Sequence, residues 1–194
     1  MNITAGDTVA VQGLGGLGHL ALQYARKMGY RTVALSSSSD KKDFAEQLGA
    51  TDYVDTSKET AAEALQKMGG ASLIVVTAPN PEVMGPLVAG LGPVGKLLIL
   101  ARKSAYLLDC GNHGADDVVA VGDVPVNTVS LIMKGASVHG WPSGHALDSE
   151  EAINFAEKQG VKCMVEKFPF DKVEDAVKHM ESGKVRFRSV IVMD

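Results

Sequence analysis

Apolar runs and amphipathic stretches alternate along most of this chain, at the two periods that distinguish strands from helices. A short apolar run, Val9-Ala10-Val11, reads as a first strand that begins at Thr8 and feeds straight into a glycine-rich turn. After a cluster of glycines, Leu17, Leu20, Ala21, Tyr24, Ala25 and Met28 recur at helical spacing, which predicts an apolar stripe lying on a sheet. Gly29 is the helix stop, with Arg26 and Lys27 in the last turn, where cations are favoured. A second strand follows over residues 31–35, then a serine run and a helix to Leu48 stopped by Gly49. Residues 52–55 read as a third strand, and residues 58–68 as a helix capped by Ser57 and stopped by Gly69-Gly70. The run over residues 72–77 is a buried strand. Asn80 and Pro81 supply the cap and first position of a helix that Pro86 ends or bends early.

A strand over residues 96–100 closes this part. Residues 103–124 break into Gly, Asp, Asn and His, including Asp116-Asp117 and Asp123, and read as a surface loop. Residues 135–140 restore a strand, followed by a helix over 148–159, a strand over 163–167, a helix over 171–181 and a last strand over 188–193. The expected architecture is α/β: a doubly wound parallel sheet of six main strands with a C-terminal β-α-β appendage. The first strand begins almost at once at Thr8, which leads us to expect further chain upstream.

Gly13, Gly15 and Gly18 fill a G-x-G-x-x-G frame between the first strand and the first helix. The first glycine permits the tight turn, the second admits a pyrophosphate against the backbone, and the third lets helix and strand approach closely. The helix amides then face the phosphates. An NAD site normally presents a carboxylate at the second strand's end, about 20 residues beyond the glycines. Serine stands there instead. Ser36 and Ser37 with Lys41 donate hydrogen bonds and positive charge and omit the repelling carboxylate, which suits a 2′-phosphate and predicts NADP. Ser38 or Ser39 can cap the next helix at the same time, since a cap uses a later serine.

Composition narrows the function classes. The chain has 194 residues, 45% of them apolar, enough for one large core. A net charge of −4, with Lys and Arg scattered, argues against nucleic-acid and membrane-surface partners. Two cysteines, Cys110 and Cys163, make no disulfide framework, and no signal peptide or long apolar span is present, so a cytoplasmic setting is the expectation. Cys110 and His113 offer two ligands without a second pair at zinc spacing, so no metal site and no catalytic residue is assigned to the chain. His19 reads as a partly exposed residue of the first helical turn. His139 falls at the C-terminal end of the sheet, near where a cofactor's reactive ring would lie, or else is a packed or backbone-contacting residue.

Gln12-Gly13-Leu14-Gly15-Gly16-Leu17-Gly18-His19, Ser36-Ser37-Ser38 with Lys41, Val76-Thr77-Ala78 and Ser182-Gly183-Lys184 together span nearly the whole chain. On these motifs it resembles the cofactor-binding part of a medium-chain, zinc-dependent alcohol dehydrogenase, nearest the cinnamyl alcohol dehydrogenase-like branch. The resemblance implies a Rossmann domain over residues 1–141. Residues 142–194 would be a segment that returns to a catalytic domain not contained in this chain. It implies cofactor contacts at Gly13, Leu14, Gly15, Gly16, Leu17 and Gly18, at Ser36, Ser37 and Lys41, at Thr77 and Ala78, at Leu100 and Ala101, and at Val138 and His139. Arg188 would be a pyrophosphate cation. By the same resemblance the full-length enzyme interconverts alcohols with aldehydes or ketones, its zinc being held by Cys, His and Cys of the other domain.

Two further implications concern surfaces. The strand over 135–140 would join two copies into a homodimer. Met164, Val165, Phe168, Phe170, Val190 and Val192 would include an apolar surface covered in the longer protein. The loop over 103–124 looks longer than the family usually has there. A zinc-free quinone or enoyl reductase of the same superfamily is the nearest alternative, disfavoured because those relatives usually carry alanine-rich loops in place of Gly-Leu-Gly-Gly-Leu-Gly-His. A stand-alone NADP-sensing module is the third reading.

Overall fold

The computed structural model describes residues 3–78, 80–100 and 124–193. Strand β1 (Thr8–Gln12) leads into helix α1 (Gly18–Lys27) and strand β2 (Arg31–Ser36), and α2 (Lys42–Gln47) leads into β3 (Asp52–Asp55). Helix α3 (Ala61–Lys67), β4 (Ala71–Val76), α4 (Pro81–Leu87) and β5 (Leu91–Ile99) follow. Beyond the undescribed stretch come α5 (Thr128–Lys134) and β6 (Ser137–Gly140). The six strands form one parallel sheet in the order β3-β2-β1-β4-β5-β6, the doubly wound Rossmann arrangement expected. The order reverses beside β1, which places a crevice at the carboxyl ends of β1 and β4.

Helices cover both faces, so the middles of the central strands are apolar, as at Val9–Val11, Val33–Leu35 and Leu73–Val76. On one face Leu65, Leu87 and Leu91 pack against Val33, Ile74 and Val76; on the other Leu22, Ala45 and Leu48 pack against Val11 and Ala34. Each such leucine stabilises the fold by roughly 1.5–3 kcal/mol relative to exposure. At the β3 edge Arg31 donates Nε and Nη2 to Asp52 Oδ2 and Oδ1 at 2.8 and 2.9 Å. That fork holds the Asp52 carboxyl below its ordinary range, and its partial exposure limits it to about 1 kcal/mol.

The appendage consists of α6 (Ala146–Gln159), β7 (Val165–Pro169), α7 (Val173–Glu181) and β8 (Arg188–Val192), with β7 and β8 forming a separate parallel pair. Its docking changes the picture of α1. The buried positions of α1 are Gly18, His19, Leu22 and Ala25, whereas Leu17 and Met28 of the expected stripe are 42% and 48% exposed. Tyr24 of that stripe faces α6, stacking on Phe155 at 5.6 Å and donating its hydroxyl to Ala152 O at 2.8 Å. The helix is therefore gripped on two sides, which a single stripe does not express.

His19 is a second correction. It is fully buried rather than partly exposed, stacked on Phe187 with centroids 4.7 Å apart, and its Nε2 accepts the Met164 N–H at 3.2 Å. Other departures are local. Thr60, not Ser57, caps α3 and accepts the Glu63 N–H, while Ser57 Oγ turns back to Asp55 Oδ1 at 2.6 Å. Strand β5 begins at Leu91 because it meets Ala71 first and, after an irregularity, Leu73 through Lys96. Helix α5 was not expected at all. Asn127 caps it by accepting the Ser130 N–H, and Gly135 ends it in the left-handed region at φ 58°.

Much apolar surface lies open. Met164, Val165, Phe170 and Val190 of the appendage are 36%, 43%, 64% and 37% exposed, while Phe168 and Val192 are half-buried. Val129, Ile132 and Met133 of α5 are also exposed, as is Trp141 beyond β6. No helix among the described residues is long and apolar enough to cross a membrane.

Candidate nucleotide-binding site

At the strand ends lies a cleft of about 450 Å³, floored by the turn between β1 and α1. Gly13 makes that turn at φ +93°, donating its N–H to Leu35 O at 3.1 Å, and a Cβ there would stand 2.8 Å from the Ala78 Cβ. Gly18 answers to a different demand. A Cβ on it would lie 1.9 Å from the Gly13 carbonyl oxygen, so only hydrogen permits helix and turn to meet. Beside Gly15 nothing of the chain lies within 4 Å of such a Cβ, and the space above it is open for a ligand. The helical ladder opens with His19 N–H on Gly15 O at 3.0 Å, so the amides ahead of it stand at the positive end of α1.

The turn is braced from below by Thr77, whose Oγ1 lies 2.9 Å from both Gln12 O and Gly13 O. Its hydroxyl is thereby spent on the backbone, which makes it a holder of the glycine turn. Gln12 Oε1 is buried at the cleft wall without a hydrogen-bond partner among the described residues, an acceptor that a ligand's hydroxyl or amide would satisfy.

The β2 end carries the serine tip. Ser36 is buried and its carbonyl accepts the Thr56 N–H at 2.7 Å, while Ser37 is exposed and Lys41 half-buried. Tyr53 donates its hydroxyl to Ser38 O, holding the tip against β3. The charged side chains on the cleft wall are Lys41 and Arg186, and no carboxylate lines it among the described residues. Two cations and no described acid give this lining a positive balance.

Of the expected contacts, Gly13, Leu14, Gly15, Gly16, Ser36, Ser37, Lys41, Thr77 and Ala78 line the cleft together. Leu17 and Gly18 stand just behind them in the turn. Arg188 reaches the same turn from β8, with Nη2 3.4 Å from Gly16 O. Leu100 is half-buried beside Val9, Ala25, Leu73 and Val75, and Val138 packs on the main core. His139 is exposed at the end of β6, its Nε2 2.8 Å from Ser137 Oγ, so it is not a packed residue. Ala101, the Cys110–His113 pair and residues 103–123 of the expected 103–124 loop lie outside the described residues, while Val124 is half-buried against the main core.

The far wall was not anticipated. Gly183, Val185, Arg186 and Phe187, from the segment joining α7 to β8, line the cleft as well. Spacing from the glycine turn carries no signal for them, since they reach it only through the docking of Phe187 on His19 and, at 5.1 Å, on Phe44.

A family model described as "Zinc-binding dehydrogenase" matches residues 16–158. The chain belongs to the zinc-binding dehydrogenase family. An alcohol dehydrogenase of Penicillium expansum, patD, is 54% identical over 193 residues, covering 100% of this chain and 52% of that protein. The patD alcohol dehydrogenase of Aspergillus clavatus is 47% identical over 223 residues, covering 100% of this chain and 58% of the relative. Among solved structures, a cinnamyl alcohol dehydrogenase of Sorghum bicolor superposes with a TM-score of 0.76 at 27% identity, over 97% of this chain and 48% of that one. The chain thus spans about half the length of the curated relatives it matches. Residues 16–158 of the family match take in Gly16–Gly18 at the end of the glycine turn, the serine tip and Thr77, while Gly13, Leu14 and Gly15 precede them.

Proposed function

We propose that this chain is the NADP(H)-binding part of an alcohol dehydrogenase. The observation that carries the cofactor assignment is the cleft lining: Ser36 and Ser37 at the β2 end, Lys41 beside them, and no described carboxylate. The α1 amides and Arg188 serve the pyrophosphate, and Thr77 holds the turn that presents those amides. Ser37 Oγ and Lys41 Nζ donate to the 2′-phosphate. When bound, the nicotinamide exchanges a hydride with the carbinol carbon of the substrate. The alcohol substrate class is supported by the names of the fungal relatives and belongs to the longer protein.

Among the described residues no three His, Cys, Asp or Glu side chains converge as metal ligands. The zinc ligands of the family are assigned to the remainder of the longer protein. The same remainder covers the apolar face of β7 and β8.

Two charge-assisted hydrogen bonds at roughly 1.5 kcal/mol each correspond to about a hundredfold preference for NADPH over NADH. Titration of the chain with each cofactor should read that ratio, and Ser37→Asp should invert it by repelling the phosphate and accepting from a free ribose. Equal or tighter binding of NADH by the unaltered chain would overturn the assignment.

Association follows from the sheet edge. Strand β6 is terminal in the sheet and its outer backbone pairs with no strand among the described residues, with exposed Val129, Ile132 and Met133 of α5 close by in sequence. Two copies joining edge to edge would continue one sheet across the pair. Sedimentation at tens of micromolar should show a dimer that Val138→Pro dissociates; a monomer under those conditions would refute the pairing.

A further inference from the structure

Arg186 and Phe187 end the segment that joins α7 to β8, and Arg188 opens the strand. Phe187 is 6% exposed, lodged between His19 of α1 and Phe44 of α2. Phe44 follows Lys41 by three residues, which fixes this segment in the gap between the glycine turn and the serine tip. Arg188 takes the turn side, at Gly16 O. Arg186 takes the cleft itself, where it and Lys41 are the charged lining residues.

The backbone of Arg186 is pinned while its charge is left available. Glu166 Oε1 accepts the Arg186 N–H at 2.6 Å, and His179 Nε2 lies 2.7 Å from the other Glu166 oxygen. The guanidinium has a long contact to Lys184 O at 3.5 Å and forms no ion pair with a carboxylate among the described residues. The guanidinium carbon stands 5.8 Å from the centroid of the Phe187 ring, which leaves its N–H groups free for a bidentate phosphate contact in a cleft whose described lining holds no acid.

We infer that Arg186 is a specificity-determining cation that binds the 2′-phosphate of NADP(H) from the wall opposite Lys41, dividing the two phosphate sites of the cofactor with Arg188. The inference rests on the proposed NADP(H) assignment. Calorimetric titration of the chain with NADPH, NADH, 2′,5′-ADP and 5′-AMP tests both separately. Arg186→Gln should weaken NADPH and 2′,5′-ADP about tenfold and leave NADH and 5′-AMP within about twofold. Arg186→Lys should recover part of the loss, keeping the charge without the fork. Unaltered binding of 2′,5′-ADP by Arg186→Gln, or an equal loss for NADPH and NADH, would overturn the inference while a wild-type preference for NADPH left the assignment standing. Absence of that preference in the wild-type chain would overturn both.

Discussion

Gly18→Ala should destabilise the chain by about 3 kcal/mol and remove measurable cofactor binding, because the added methyl must displace the Gly13 carbonyl that would lie 1.9 Å from it. Neither group is the end of a flexible side chain. The Gly13 carbonyl is fixed by the turn and by Thr77 Oγ1 at 2.9 Å, so relief requires α1 to move away from β1. Gly15→Ala is the informative contrast. Its methyl would meet no atom of the chain within 4 Å, and stability should stay within about 0.5 kcal/mol of wild type while binding falls, since the methyl occupies the ligand's space. Denaturant midpoints and NADPH titrations of the two variants would separate these outcomes. A wild-type midpoint for Gly18→Ala would mean that helix and turn do not meet as closely as the structure has them.

Acid should loosen the appendage through His19. Its neutral ring is specified at both nitrogens: Nδ1 donates to Gly15 O at 3.2 Å and Nε2 accepts the Met164 N–H at 3.2 Å. Burial is the main cause that lowers its pKa below the ordinary imidazole value of 6.5, and nearby Arg188 adds to it. The unfolded chain therefore takes up a proton near pH 6.5 that the folded chain refuses until lower pH. Stability falls as pH drops through that window, by at most about 1.4 kcal/mol per pH unit for one proton. Protonation of Nε2 also removes the acceptor for Met164, and with it the hold on Phe187 at the cleft wall. Denaturant midpoints between pH 8 and pH 5 should show a slope that His19→Gln abolishes; parallel profiles for the two proteins would disprove the linkage.

How far such features can be read before folding depends on whether their cause is local. The glycine turn, the Asn80-Pro81 helix start and the alternation of elements were legible because each is decided by neighbours a few residues away. Helix α5 carried local signals too, an Asn127 cap and a Gly135 stop, but its apolar Val129, Ile132 and Met133 face outward and disguise it as irregular chain. The burial of His19 and the presence of Arg186 in the cleft have distant causes. Both depend on Phe187 settling between α1 and α2, and no periodicity within α1 announces an occupant from the far end of the chain. Arg188 was singled out by resemblance, whereas nothing in spacing distinguished Arg186 beside it.

The position of β1 bears on how the chain reaches this state. Its one neighbour, β2, is local, with Val9 opposite Thr32, and its other neighbour, β4, arrives much later, with Val9 opposite Leu73. During synthesis the unit β1-α1-β2-α2-β3 can gather while the inner edge of β1, later the middle of the sheet, still has no partner. The strand is apolar at Val9, Ala10 and Val11 and lacks the charges or prolines that protect permanent edges. A central strand of the finished sheet is thus, for the time needed to make α3 and β4, an open edge, and slow closure lengthens its exposure to aggregation.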